Sequence, residues 1–490
     1  MEKLIMAIDQ GTTGSTVSLV NLAGKQVAKI NKEFPQYFPK PAWVEHDLNE
    51  IWQSIELAMK KLFETSKYNS RQVAAIGITN QRETVGAWRR DNSKPLHRAI
   101  VWQCRRTTDF CKKNSAEQAW IKRKTGLVLD PYFSGSKINW LLKKSQDVKE
   151  QARNNNLAVG TMDSFLVWKL TQGQSHVTDV SNASRTMLMD LKTLKWDEKL
   201  LKFFKVKESI LPQIRSSAEV YGHTKGLQFL PDGIPISGIA GDQQAALFGQ
   251  ACFKPGEAKC TYGTGSFLLM NTGADIVKSK SGLLTTVAWK IGEETHYALE
   301  GSAFICGAAV QWLRDQLKFI ERSCEIEDLA RKCDDAGGVE FVPSFTGLGS
   351  PYWNPEARAM IKGLTRGSGR SEIARACLEG MALQNVDLLK AMEKDSQKKL
   401  RLLKVDGGAC SNDLLMQLQT DYLGSKVVRP KMVETTALGA AYLAGLGAGL
   451  WTSKKAIKEV WKVDKEFQPN SSSSQRKKRL ASWHRAIKSL

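Results

Sequence analysis

The stretch MAIDQGTTGST, Met6–Thr16, ends an apolar run, delivers one carboxylate, Asp9, and passes at once into glycines and hydroxyls. Leu4 to Ile8 has the pattern of a buried strand, and Gly11-Thr12-Thr13-Gly14-Ser15 that of a tight turn. Glycine turns let backbone amides crowd around an anion, and small hydroxyl side chains add donors. A carboxylate beside such a nest repels phosphate unless a cation lies between them. The stretch therefore reads as a phosphate cradle with a magnesium-associated Asp9. A polar hairpin turn is the plainer alternative.

The same plan returns about half a chain later. Cys260-Thr261-Tyr262-Gly263-Thr264-Gly265-Ser266 leads into the apolar run Phe267–Met270 and then Asn271-Thr272-Gly273, just as Thr16–Val20 leads into Asn21-Leu22-Ala23-Gly24. Strand, Gly-Thr turn, strand, turn, twice over, predicts a duplicated fold whose halves each present a phosphate-gripping hairpin across a cleft. Helical periodicity is clear over Asp47–Glu64, with Asp47 able to cap, and again over Ser371–Glu393. Strands and helices alternate in both halves, so the class is α/β. A boundary near 245–255, ahead of Pro255-Gly256, gives an N-terminal domain over residues 1–250 and a C-terminal domain over 251–490.

A chain of 490 residues exceeds one comfortable core, and 42% apolar with 25% charged residues is ordinary globular composition. Ala437–Trp451 is rich in Gly and Ala and too short to span a membrane; it reads as a tightly packed core helix. No signal peptide is seen at the N-terminus. Nine cysteines and six histidines are scattered without metal-ligand spacing, which suits a reducing cytoplasm. The net charge of +21 is spread along the chain, with its densest run at Arg476–Arg479, and reads as a solvated basic surface without specific nucleic-acid binding.

No P-loop, dinucleotide fingerprint or nucleophile elbow occurs. A third glycine turn, Val405-Asp406-Gly407-Gly408-Ala409, could lie beside a nucleoside whose phosphates the two hairpins hold. Gly238-Ile239-Ala240-Gly241 delivers Asp242 at the domain junction, where a carboxylate could take the proton of an attacking hydroxyl, or simply cap a helix. Arg82-Glu83 and Trp102 supply a charged pair and an aromatic face of the kind a polyol needs; a surface ion pair and a core Trp are the bland readings.

These segments resemble, in order, the FGGY carbohydrate kinases, in particular members that phosphorylate glycerol. The matching blocks include IDQGTTGST, ITNQRET, IVWQCRRT, DPYFSGSKINWLL, DVSNASRTML, ISGIAGDQQAALFGQ, TYGTGSFLLMNTG, VDGGACSND and ETTALGAAYLAG, and the resemblance runs from Asp9 to about Trp451. It implies a two-domain actin-like ATPase fold, ribonuclease H-like, with a duplicated core and a cleft between domains. It implies that Arg82, Glu83, Trp102, Tyr132, Asp242, Gln243 and Phe267 hold glycerol, with Asp242 as the base. Thr12, Thr13 and Gly14 of the first hairpin and Thr264 of the second would meet the phosphates. Gly307, Gln311, Gly408 and Asn412 would line the nucleotide side, and Asp9 would serve Mg2+. The implied reaction moves the γ-phosphate of ATP to a terminal hydroxyl of glycerol, giving sn-glycerol 3-phosphate, in a cytoplasmic homo-dimer or tetramer.

Three segments depart from the family pattern. Gly14 and Thr16 replace a serine and an arginine of the first hairpin, and the arginine would touch the nucleotide phosphates. Cys104 stands where a carboxylate is usual; among arginines, an exposed thiol there would be the most reactive of the nine, and the alternative is that it packs as a small apolar residue. Lys225–Gly233 lacks the glycine-rich, arginine-bearing loop of members inhibited by fructose 1,6-bisphosphate. A kinase for another small polyol or a pentulose, and a weakly active nucleotide-binding protein with a basic surface, remain open alternatives.

Overall fold

A computed structural model describes residues 2–354 and 356–490. The first half supplies strands β1 (Leu4–Gln10), β2 (Gly14–Asn21) and β3 (Gln26–Glu33), helix α1 (Leu48–Thr65), strands β4 (Val73–Asn80), β5 (Ala218–His223) and β6 (Pro235–Gly241), and helix α2 (Asp242–Gly249). The second supplies β7 (Glu257–Tyr262), β8 (Ser266–Gly273), β9 (Leu284–Ile291), β10 (Glu294–Ala303), α3 (Gly307–Asp315), α4 (Arg370–Ser396), β11 (Leu402–Asp406), α5 (Asp413–Leu423), β12 (Val427–Pro430), α6 (Thr435–Gly447), β13 (Val463–Phe467) and α7 (Ser473–Lys488).

The duplication is visible strand by strand. One sheet runs β5-β6-β4-β1-β2-β3 and the other β9-β10-β8-β7-β11-β12-β13. Each contains the same five-strand core, three antiparallel strands whose first member pairs in parallel with a later strand that in turn pairs in parallel with another: β3-β2-β1-β4-β6 and β10-β8-β7-β11-β12. The opening apolar run forms β1, in the middle of its sheet, with Leu4 to Ile8 fully buried; both faces are covered, which is why the run does not alternate. Asp47 caps α1 as its spacing suggests, its side chain accepting from the Asn49 amide.

The two halves meet through the helices that follow the fifth core strands, α2 after β6 and α6 after β12. Helix α6 also packs on β6, β4 and β1 of the other half's sheet. The contact is backbone on backbone: a Cβ on Gly439 would lie 1.8 Å from the carbonyl oxygen of Ala245, and one on Gly249 would lie 2.0 Å from that of Thr435. The Gly/Ala-rich stretch read as a packed core helix is this element. Among the described residues no helix is long and apolar enough to cross a membrane.

A side lobe built on a four-stranded sheet (Glu45–His46, Pro95–Ile100, Val85–Arg89, Leu157–Gly160) carries the segments around Trp102 and Tyr132. At the C-terminus α7 docks on α4: Trp483 donates to Asp387 at 2.6 Å, and Arg479 pairs with Glu379 at 2.9 Å and Glu340 at 2.5 Å. The basic run is therefore solvated only in part, because two buried carboxylates draw Arg479 into the structure.

Because the α2–α6 contact leaves no room for a methyl group, Gly439→Ala is expected to destabilise the protein by about 1–3 kcal/mol, the range of overpacking changes. Urea unfolding measures this; a change below about 0.5 kcal/mol would show that the helices can separate freely.

Candidate active site

The turn after β4 places Arg82 and Glu83 in the interior, not on the surface, at 3% and 1% exposure. Glu83 adopts a left-handed backbone, φ +60°. The Arg82 guanidinium lies 3.1 Å from the Asp242 carboxylate through Nε and donates to Glu300 at 2.6 and 3.1 Å through Nη1 and Nη2. Its Nη2 also reaches the Tyr132 hydroxyl at 3.4 Å. Asp242 is the first residue of α2 and keeps about a third of its side chain exposed, so a reacting group can approach it.

Around this cluster the other candidates fall into place by different routes. Trp102 packs edge-on to Tyr132, ring centroids 5.6 Å apart, and its Nε1 donates to Thr12 Oγ1 at 3.0 Å. The Trp102 ring is thus tied to the first glycine hairpin. The Gln243 side chain accepts from the buried Lys259 amine, which also donates to Thr261 at 2.8 Å. Phe267 lies on β8 directly opposite Thr261. Tyr132 is steadied from behind by Lys137, which donates to the Tyr132 carbonyl at 2.5 Å; burial pulls the Lys137 amine down to about 7.

The two glycine turns close alike, Gly11 N to Gly14 O and Gly263 N to Gly265 O, each at 2.9 Å. The second is stitched to the start of α3: the amides of Gly307 and Cys306 donate to the carbonyls of Gly263 and Thr264 at 3.0 and 2.8 Å. The third turn folds beneath it. Gly407 has φ +84°, and a Cβ there would sit 2.6 Å from the Tyr262 carbonyl oxygen, so only glycine lets the turn approach. Between them opens a cavity of about 450 Å³ lined by Thr264, Gly307, Gln311, Gly408 and Asn412, with Val310, Ile326, Leu378, Met381 and Leu415 as apolar walls. Thr12, Thr13 and Gly14 are not in its wall; they sit on the hairpin of the other half.

Asp9, at the end of β1, is the group most in need of a cation. Burial, then the charges of Asp242 and Glu434, push its carboxyl up to about 7, against partial relief from Lys29. Among the described residues no three His, Cys, Asp or Glu side chains gather to hold a metal unaided. Such a site fits Mg2+, which keeps its waters and takes one or two carboxylates together with nucleotide phosphates.

Of the departures, Thr16 lies cross-strand from Asp9 and accepts from Asn31 at 2.9 Å. Cys104 takes the packing alternative: it is fully buried, its sulfur 3.1 Å from Nε of Arg106. Arg106 is held instead by Glu45 at 2.7 Å and by the rings of Trp43 and Trp140. The 225–233 loop turns inward on Leu230, with Gly226 bonded to Asp232, and builds no anion nest. Glu300, Arg185, Lys259 and Gln244 join the acceptor cluster without having been singled out. For Glu300 the signal is a lone carboxylate in an otherwise apolar strand segment, Ala298-Leu299-Glu300-Gly301; Arg185, in a turn, and Gln244, on α2, carry no such signal.

Because burial and then like charges raise the Asp9 carboxyl, Asp9→Asn should melt at a higher temperature than the parent at pH 8, without nucleotide or metal. The folded carboxyl takes up its proton below about 7, so the gap should narrow progressively as the pH falls from there toward the ordinary carboxyl value of 3.8. Thermal melts at pH 8 and pH 6 read both; a variant less stable at pH 8 would contradict the electrostatic account.

Residues 4–249 match the N-terminal domain, and residues 258–448 the C-terminal domain, of the FGGY family of carbohydrate kinases. The chain is 59% identical to the glycerol kinase of Bdellovibrio bacteriovorus and 53% to that of Myxococcus xanthus, over 99% of each chain in both cases. Among solved structures it resembles Plasmodium falciparum glycerol kinase with ADP (TM-score 0.94, 39% identity, 99% and 98% of the two chains). It also resembles a gluconate kinase of Lactobacillus acidophilus (TM-score 0.89, 25% identity, 100% and 98%). The duplicated sheets, the paired glycine hairpins and these matches have one reading: the chain belongs to the FGGY family of carbohydrate kinases.

Proposed function

We propose that the protein phosphorylates glycerol with ATP. The observation that carries the reading is the Arg82–Asp242 contact, a carboxylate held at 3.1 Å by a buried guanidinium and still open to the cleft, beside Tyr132 and Trp102. Full-length relatives named glycerol kinase support the choice of acceptor. Arg82, Glu83 and Gln243 offer hydrogen bonds to neighbouring hydroxyls, while Trp102, Tyr132 and Phe267 cover a short carbon chain. Aromatic rings on this scale leave little space for a fourth or fifth carbon. The first domain, over residues 1–250, carries this acceptor site except for Phe267, and the second, over 251–490, carries Phe267 and the nucleotide cavity.

In the reaction Asp242 accepts the proton of a terminal hydroxyl as its oxygen bonds to the γ-phosphorus and the bridging bond to ADP breaks. Thr12, Thr13 and Gly14 from one side and Thr264 from the other hold the phosphate chain. The base and sugar lie along Gly307, Gln311, Gly408 and Asn412. Mg2+, held by Asp9, supplies positive charge to the phosphates when bound. Positioning and charge, with little covalent chemistry by the protein, are what phosphoryl transfer asks for. The family resemblance carries a homo-dimer or tetramer and a cytoplasmic location into this reading.

An ATP-coupled assay across glycerol, erythritol, xylulose and ribulose should give turnover with glycerol at least ten times that with the others. Faster turnover of a pentulose would replace the acceptor. Asp242→Asn should retain glycerol binding by calorimetry while kcat falls about 10²–10⁴-fold, the usual worth of a general base; a variant within tenfold of the parent would place the base elsewhere. Fructose 1,6-bisphosphate at millimolar concentration should leave the rate unchanged, since the 225–233 loop offers it no nest of amides.

A further inference from the structure

Two buried side chains touch the acceptor cluster from outside it. Glu300 stands on β10, in the second half's sheet, and Arg185 follows the short helix Val180–Ala183 in the first half. Arg82 gives Glu300 both of its terminal nitrogens, at 2.6 and 3.1 Å. Arg185 donates from Nη2 to the same carboxylate at 3.0 Å and from Nε to Glu83 at 2.7 Å. Glu83 in turn lies 3.8 Å from Arg82, so the four charges close a ring, and no side chain in it is more than 4% exposed.

We infer that Glu300 and Arg185 are positioning residues that set the acceptor clamp, Glu300 by orienting Arg82 and Arg185 by orienting Glu83. This rests on the acceptor reading above and adds to it. A fork-to-fork pair fixes the plane of a guanidinium. With both Nη atoms of Arg82 given to Glu300, the remaining edge, Nε, is the one turned to Asp242. In the same way Arg185 engages Oε1 of Glu83 and leaves Oε2, which carries no hydrogen bond among the described residues, for an acceptor hydroxyl.

Stability alone gives no reason for such a ring. Taking four charges out of water is expensive, and well-packed apolar residues are often at least as stable in their place. Among the described residues Nη1 of Arg185 is buried without a hydrogen-bond partner, a further cost. Both arginines outweigh burial and keep the Glu300 carboxyl down at about 2, so it remains an anion across the working pH range. What the ring supplies is registration between the halves. Glu300 pairs across the sheet with Leu269 on β8, and β8 begins at the hairpin that carries Thr264. The clamp that holds the attacking hydroxyl is thereby keyed to the strand pair that holds the phosphate. Misplacement by about 1 Å costs on the order of 10²-fold in rate, which makes such keying worth its cost.

Three variants test this: Glu300→Gln, which keeps shape and loses charge; Glu300→Asp, which keeps charge and shortens the reach; and Arg185→Lys, which keeps charge and loses the fork. Steady-state kinetics of each folded variant should show the glycerol KM raised about 10–100-fold, with the ATP KM within threefold of the parent's. Glu300→Asp should lie between the parent and Glu300→Gln. If Glu300→Gln does not fold, Glu300→Asp and Arg185→Lys decide the matter. A glycerol KM within twofold of the parent's in those variants, or glycerol and ATP KM rising in parallel, would overturn the inference. The parent is assayed first. No glycerol turnover there would defeat the acceptor reading itself, whereas parental turnover with unaltered variants defeats only the positioning role.

Discussion

Backbone meets backbone where α2 crosses α6, and the geometry of the rest follows from that contact. Side chains at Gly249 or Gly439 would hold the helices apart. Without them, the two helices meet backbone to backbone and α6 reaches the first half's sheet. The helix that makes the contact from the first half begins with Asp242, so the carboxylate proposed as the base is positioned by the same packing. The partner helix begins just after Glu434, whose carboxylate pairs with Lys29 on β3 at 2.6 Å and adds to the negative field at Asp9.

The site carries charge in two contrasting states. Around Arg82 the charges are matched, buried and locked to one another. Around Asp9 they are mismatched: carboxylates face one another with only Lys29 in partial relief. In the proposed reaction preorganisation would suit the first, where orientation of a hydroxyl is the task. The second would be balanced by a cation entering with phosphates, which would couple the metal's occupancy to that of the nucleotide.

Much of this was legible in the sequence because it is local. The strand-turn-strand plan at Met6–Thr16 and Cys260–Gly273, the α1 cap at Asp47 and the small-residue run of α6 are all written within a few consecutive residues. Sheet order repeats the plan and confirms that the hairpins mark a duplication. What escaped was set by contacts between distant residues. Arg82 and Glu300 lie 218 positions apart and Arg185 and Glu300 lie 115 apart, and nothing near any of them announces the others. Cys104 shows the converse: its arginine-rich neighbourhood was readable, but its burial depended on the side-lobe core. Arg479 looked like part of a solvated run until α4 supplied Glu379 to pair with it.

In the proposed reaction phosphate passes directly across the cleft, from a nucleotide on one half to a glycerol hydroxyl on the other. Stereochemistry at phosphorus tests it most directly, using ATP made chiral at the γ-phosphorus with glycerol as acceptor. A single in-line displacement predicts inversion in the glycerol phosphate formed. Retention would require a phosphorylated enzyme between two displacements, and would contradict the account of two hairpins and one base.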